Sequence, residues 1–302
     1  MRVLILGGDG MLGHQLRREL SARHDVGVTL RRPDEASSSG SDAGALGRAP
    51  AGVRESDHRV FRNVDVRDLD RVSKVVARFR PEAVVNAVGI VKQRPESDDL
   101  LPALEVNAVF PHRLAGLCAD AGARLVHFST DCVFSGRKGL YGEGDPPDPV
   151  DTYGRTKLLG EVGAPHLTLR SSIIGLEQGR RQGLVEWFLA SRGPVKGYRR
   201  AVYSGLTTLE MARLVDRLLV AHPDLAGLFH VASEPIDKFT LLSRLAQALG
   251  RRDVQIEPVD EPVCDRSLCA DAFASATGYQ PPAWDEMLQE LAREVRRREV
   301  ET

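Results

Sequence analysis

The chain begins MRVLILGGDGMLG, an apolar run from Val3 to Leu6 that ends on glycines spaced Gly7-x-x-Gly10-x-x-Gly13. Four consecutive apolar residues without alternation fit a strand buried on both faces, the kind found in parallel sheets covered by helices. The residues that follow place Leu12, Leu16 and Leu20 on one face of a helix. A glycine turn between such a strand and such a helix lets a ligand approach the backbone closely. The helix start adds unpaired N–H groups and the positive end of a dipole. This arrangement suits the pyrophosphate of a dinucleotide. Glycines in a tight turn without a ligand look the same, so the rest of the chain must decide.

Strand and helix patterns alternate after that opening. Strands are expected at 26–30, 59–61, 83–87, 125–129 and 167–170, and helices at 68–79, 101–121 and 152–162. Strict alternation implies a doubly wound parallel sheet of the Rossmann type, an α/β fold whose ligands bind beyond the carboxyl ends of the strands. Residues 33–57 are rich in Ser, Gly and Ala without periodicity, and read as a surface excursion. Beyond Arg170 the order loosens, with helices expected at 183–191, 208–221, 238–249 and 284–298 and a strand within 227–232. The division that follows is a dinucleotide-binding domain over 1–170, rejoined by a helix and strand near 205–233. A smaller substrate-binding lobe is formed by 171–204 and 234–302. His166 and His230 fall in expected strands and read as core residues.

Composition narrows the partners. The 302 residues carry a formal net charge of -1, which gives no electrostatic case for nucleic acid or an anionic membrane. No apolar run approaches the roughly 18 to 20 residues of a spanning helix, and the N-terminus lacks the features of a signal peptide. Of the four cysteines, Cys118, Cys132, Cys264 and Cys269, no two show the C-x-x-C spacing of a zinc site. The expectation is a cytoplasmic protein without a metal.

Two further motifs carry chemistry. The second strand ends in Arg31-Arg32, where an acidic residue would select NAD; guanidinium groups there suit a 2′-phosphate, so NADPH is expected, with NADH as the alternative. Tyr153 and Lys157 are four residues apart on one helix, so they share a face. An ammonium beside the phenol would stabilise its anion and lower its pKa, making Tyr153 a proton donor to an alkoxide.

The order GxxGxxG, NVDV, NAVG, STD and YGRTK resembles an extended short-chain dehydrogenase/reductase. The closer similarity is to the dTDP-4-dehydrorhamnose reductase group of nucleotide-sugar reductases, and it covers nearly the whole chain. The resemblance implies that Gly7, Gly10, Met11, Leu12 and Gly13 meet the cofactor, that Asp65 and Val66 flank its adenine, and that Ala87, Val88 and Gly89 line its path. It matches Thr130, Tyr153 and Lys157 to the catalytic triad, and Asn107 to an asparagine common on the preceding helix. Asp131, Cys132 and Ile173 then face the sugar. Cys132 stands where rhamnose-forming relatives usually have Tyr, and Ile173 where they usually have Trp, so the sugar itself is left open. Among the basic residues Lys92, Arg180, Arg181, Lys196, Arg199 and Arg200, the candidates for the substrate diphosphate are Lys92 and Arg200.

The function implied is NADPH-dependent reduction of a 4-keto-6-deoxy nucleotide sugar, with a homodimer left open. Dehydratases of this superfamily carry Asp-Glu after the threonine, and a thiol at Cys132 does not replace that glutamate. Two alternatives stand beside the reductase. One is an epimerase holding NAD tightly; the other is a non-catalytic regulatory subunit, as the group resembles that of methionine adenosyltransferase.

Overall fold

The computed structural model describes residues 1–31, 59–91, 99–178 and 182–301. The expected excursion at 33–57, together with Arg32, Lys92, Arg180 and Arg181, lies outside them.

The first half of the chain lays down β1 (Arg2–Leu6), α1 (Met11–Leu20), β2 (Asp25–Thr29), β3 (Val60–Phe61), α2 (Leu69–Phe79) and β4 (Ala83–Asn86). It continues through α3 (Leu100–Ala103), a π-helical stretch (Leu104–Val109), α4 (Phe110–Asp120), β5 (Arg124–Ser129) and a 3-10 turn (Asp131–Val133). Then come α5 (Thr152–Leu159) and β6 (Leu167–Arg170). The second half contains β7 (Ile173–Ile174), α6 (Leu184–Ala190), β8 (Gly193–Tyr198), β9 (Ala201–Tyr203), β10 (Leu206–Thr207) and α7 (Thr208–Ala221). It closes with β11 (Gly227–His230), β12 (Ile236–Asp237), α8 (Lys238–Leu249), β13 (Val254–Val259), β14 (Cys264–Asp265), α9 (Asp271–Thr277) and α10 (Trp284–Glu301).

Seven strands pair in parallel in the order β11-β6-β5-β4-β1-β2-β3. The order reverses between β1 and β4, the place where a doubly wound sheet opens a crevice at its carboxyl edge. Alternate residues of each strand serve opposite layers. Val3 and Ile5 pack with Leu16 of α1 and Leu214 and Leu218 of α7; Leu4 and Leu6 pack with Val72 and Val76 of α2 and Leu114 of α4. Val3 to Leu6 are all fully buried, which explains the unbroken apolar run at the start of the sequence.

The long helix expected over 101–121 is present but interrupted. Pro111 has no N–H to give the carbonyl of Asn107, so the regular i to i−4 ladder fails there and the backbone widens into the π-helical stretch. Gly160, just past α5, sits against that same carbonyl, where a Cβ would stand 1.9 Å from it.

The returning chain after β6 builds a second group of small sheets. β8 and β13 run parallel in register from Gly193 opposite Val254 to Tyr198 opposite Val259, with α8 packed against both. β9 lies between β12 and β14 and brings Tyr203, Asp237 and Asp265 into one three-stranded unit. His230 and His166 are both buried, the first within β11 and the second just before β6.

Candidate active site

At the end of β1 the chain turns on Gly7, whose φ of 83° is left-handed, and a Cβ there would stand 2.9 Å from Val88. Gly13 lets α1 descend onto the turn: a Cβ would lie 1.9 Å from the Gly7 carbonyl. The turn is tied to β2, with the Gly7 N–H donating to Thr29 Oγ1 at 3.1 Å and the Gly8 N–H to the Thr29 carbonyl at 2.9 Å. Helix α1 starts at Gly10 with no side-chain cap and no acidic residue in its first turn. The first N–H groups, at Met11, Leu12 and Gly13, therefore face the crevice without a protein carboxylate to satisfy them. This is the donor set a pyrophosphate needs.

The other residues expected around a dinucleotide surround that turn. Arg31 is exposed just past β2. Asp65 is half-buried and held by Arg67 at 3.0 and 2.6 Å, which keeps its carboxyl below the ordinary range, while Val66 is buried. Ala87, Val88 and Gly89 are half-buried beyond β4, and the Val88 N–H donates to Asn86 Oδ1 at 3.2 Å. Asn107 is 1% exposed and its amide is fully engaged: Oδ1 accepts from the Ile90 N–H and Nδ2 donates to the Ile90 carbonyl, both at 2.9 Å. Nδ2 also reaches Thr156 Oγ1 at 3.3 Å. Its side chain thus fastens the β4 exit to α5.

The Ser-Thr-Asp motif lies at the carboxyl end of β5. Thr130 Oγ1 accepts from the Cys132 N–H and donates to Asp131 Oδ1, each at 3.1 Å. Helix α5 begins beside it, because Asp151 caps the Gly154 N–H at 2.8 Å and Gly154 has no side chain to hold the two segments apart. Tyr153 lies in this first turn, half-buried, one residue before the glycine that meets the Cys132 carbonyl. Behind the motif, Arg170 of β6 forms a buried bidentate pair with Glu161, both contacts at 2.7 Å, and Ser129 donates to the same carboxylate at 2.6 Å. The carboxyl ends of β5 and β6 are locked together by charge-assisted bonds.

The electrostatics differ from the sequence expectation at one point. Lys157 does not lower the pKa of Tyr153. Its ammonium donates to the Phe128 carbonyl at 2.6 Å, and burial pulls its own pKa down to about 8. The Tyr153 phenol is pushed above its ordinary value, first by burial and then by the charges at Cys132 and Asp131. A shared helix face placed the two side chains in one region, but desolvation is the largest influence on the phenol. The result is a phenol held neutral, the protonation state of a proton donor. Burial likewise pushes the Cys132 thiol up to about 12, so it is neither a nucleophile nor a carboxylate substitute at neutral pH.

The substrate candidates separate. Asp131 is 6% exposed and Cys132 half-buried, side by side at the motif; Ile173 is half-buried at the start of β7; Arg200 is exposed in the turn between β8 and β9. Arg199 beside it pairs with Asp260. One group not singled out in the sequence also reaches the motif. Arg266 Nη1 approaches Cys132 Sγ at 3.5 Å while its Nε donates to the Phe134 carbonyl at 2.9 Å. Tyr203 lies in β9, which pairs with β14, and the Lys238 ammonium sits 4.0 Å from the centre of its ring. Lys238 could have been noticed: it is a lysine in the first turn of a helix, where the dipole disfavours a cation. No group of three metal-ligating side chains occurs among the described residues, and all four cysteines are free. No described helix is long and apolar enough to cross a membrane.

Glycine turn, sheet order and the Thr-Tyr-Lys group at the β5 edge define an extended short-chain dehydrogenase/reductase fold. Within that class the chain belongs to the family of the RmlD substrate binding domain, which matches residues 1–175. A curated relative, the probable low-salt glycan biosynthesis reductase Agl14 of Haloferax volcanii, is 31% identical over 204 residues, 62% of this chain and 67% of that protein. The dTDP-4-dehydrorhamnose reductase of Burkholderia thailandensis is 31% identical over 186 residues, 60% of this chain and 52% of that protein. The chain thus spans about half to two thirds of the length of these relatives. Among solved structures, a dTDP-4-dehydrorhamnose reductase of Bacillus anthracis in complex with NADP superposes with a TM-score of 0.76. That likeness has 21% identity and covers 97% of this chain and 99% of that one.

Proposed function

We propose that the protein is an NADPH-dependent reductase of the keto group of a 4-keto-6-deoxy nucleotide sugar. The observation that carries the reading is the close approach of α5 to the Ser-Thr-Asp turn at Gly154 and Cys132, which sets Tyr153 beside Thr130 at the carboxyl end of β5, in the sheet whose β1 leads into the uncapped start of α1. The relatives named as reductases of glycan and dTDP-sugar biosynthesis support it. In this reading residues 1–170, rejoined by α7 and β11, hold the cofactor, and 171–204 with 234–302 hold the substrate. The four free cysteines suit a reducing cytoplasm.

A bound dihydronicotinamide supplies the hydride. The first-turn N–H groups of α1 would hold its pyrophosphate, Arg31 would meet a 2′-phosphate, and Asp65 and Val66 would bound the adenine. Thr130 orients the ketone oxygen toward Tyr153, whose phenol gives that oxygen its proton. Because burial keeps the phenol protonated, the donor is ready at neutral pH. Lys157, anchored to Phe128, fixes the face of α5 that presents Tyr153. Dehydration would ask for an acid and a base at adjacent carbons, and Cys132, with its thiol neutral, supplies neither.

The test is NADPH oxidation against a panel of 4-keto-6-deoxy nucleotide sugars. Tyr153→Phe should lower turnover by at least about 10²-fold with cofactor affinity little changed. Near-normal turnover in that variant removes Tyr153 from the mechanism. Loss of water from a nucleotide hexose given NAD would replace the reductase with a dehydratase. Tightly bound NAD in the purified protein would favour the epimerase.

A further inference from the structure

His127 lies fully buried in β5, and its Nε2 has no hydrogen-bond partner among the described residues. Burial holds its pKa well below the ordinary imidazole value, so the ring is neutral and carries one hydrogen. The neighbours decide which nitrogen bears it. The Val88 N–H can only donate, so the Asn86 atom that meets it at 3.2 Å is the carbonyl oxygen Oδ1. The Asn86 amide nitrogen therefore faces His127, and Nδ1 accepts from it at 3.1 Å. That leaves the ring hydrogen on Nε2, the atom without a partner. A ring that only filled space in the core would be better without that N–H. What this imidazole offers the fold is the acceptor at Nδ1.

Sheet register explains the contact. β4 and β5 pair in parallel with Asn86 opposite His127, so both side chains stand on the face where Val84 and Leu125 pack with α2 and α4. Asn86 ends β4 and is 1% exposed. Beyond it the chain turns against the glycine turn of β1: a Cβ on Gly7 would stand 2.9 Å from Val88 and 3.3 Å from the Ala87 carbonyl oxygen. Asn107 holds the backbone of Ile90 further along this exit, and Asn86 holds Val88. Without an acceptor at 127 the Asn86 amide would be a buried donor with no partner. It would turn to find one and release the Val88 N–H.

We propose that His127 is a positioning residue for the dinucleotide: its Nδ1 fixes the Asn86 amide, and Asn86 sets the Val88 turn against Gly7 in the shape that receives the cofactor. The inference rests on the dinucleotide reading above. His127 itself touches neither cofactor nor substrate. It acts through two hydrogen bonds, from the interior of the sheet to the wall of the crevice.

The experiment is titration with NADPH followed by its fluorescence, with the melting temperature taken on the same preparations. His127→Phe keeps a ring of similar size and removes the acceptor. His127→Asn keeps an acceptor two bonds from Cβ, where Nδ1 stands, and loses volume. His127→Phe should weaken NADPH about tenfold. His127→Asn should bind NADPH nearly as the parent does, although the lost volume lowers its melting temperature. A ring that matters only for packing gives the opposite order, with phenylalanine binding as the parent and asparagine losing affinity. That order, or equal loss in the two variants, would overturn the assignment. Nitrogen NMR of the parent protein is a check that needs no variant to fold: His127 should be neutral at neutral pH with its hydrogen on Nε2. A hydrogen on Nδ1 would overturn the assignment too. A parent protein that binds neither NADPH nor NADH would fail the cofactor reading first, and this inference with it.

Discussion

Gly154→Ala tests whether the first turn of α5 must touch the Ser-Thr-Asp turn for the protein to work. Alanine is the better helix former, and Gly154 lies inside α5, so local propensity predicts a gain in stability. The tertiary contact predicts the reverse. A Cβ at 154 would stand 2.2 Å from the Cys132 carbonyl oxygen and 3.0 Å from both the Cys132 carbonyl carbon and Pro149 Cβ, where ordinary contact begins at 3.4 Å. Two of those atoms are backbone, so no rotamer change relieves the clash; α5 must back away. A displacement of about 1 Å is the scale on which misplaced catalytic groups lose about 10²-fold in rate. Overpacking of this kind costs about 1–3 kcal/mol, a melting point lowered by several degrees at this size. The glycine turn that holds the cofactor is remote from the contact and should keep its affinity. The assay therefore reads turnover, NADPH affinity and melting temperature on one preparation. Turnover falling about 10²-fold with cofactor binding intact supports the argument. An alanine variant with parental turnover would show that the close approach does not position Tyr153.

Three other perturbations follow from the same geometry. Arg31→Ala should weaken NADPH about tenfold, the low end for a charge-assisted contact because Arg31 is exposed, with NADH little affected; equal affinity of the parent protein for the two cofactors would count against the assignment. Lys157 has its pKa lowered from 10.5 to about 8 by burial, so from about pH 8 up to 10.5 the unfolded chain binds the extra proton and stability should rise with pH. Denaturant titrations should show the parent gaining on the order of 3 kcal/mol across that window relative to Lys157→Met; parallel curves would refute the buried charge. Cys132→Ser should keep most of the reductase activity, since the thiol is neutral and Arg266 can still meet a hydroxyl, and complete loss of turnover would show that sulfur has a chemical role.

Short-range pattern settled much of this protein. Val3 to Leu6 and the three glycines after them specify a buried strand, a tight turn and a helix within some twenty residues, because burial on both faces and the approach of a helix to a turn leave their marks on adjacent positions. The helices Thr208–Ala221 and Lys238–Leu249 are legible for the same reason. So is the common face of Tyr153 and Lys157, which helical spacing alone dictates. The two- and three-residue strands β7, β9, β10, β12 and β14 are too short to carry a period; they exist only because distant segments pair with them. The π-helical stretch needed Pro111 to be read against Asn107, and the occupation of the Asn107 amide by Ile90 could not be read locally at all. The largest difference lies in charge. From sequence, Lys157 acidifies Tyr153; in the folded chain the ammonium turns to Phe128 and desolvation raises the phenol. Spacing along a helix fixes which side chains are neighbours. How much water each one loses, and which groups from distant segments come to face it, is decided only when the sheets assemble, and that is what brought Arg266 to Cys132.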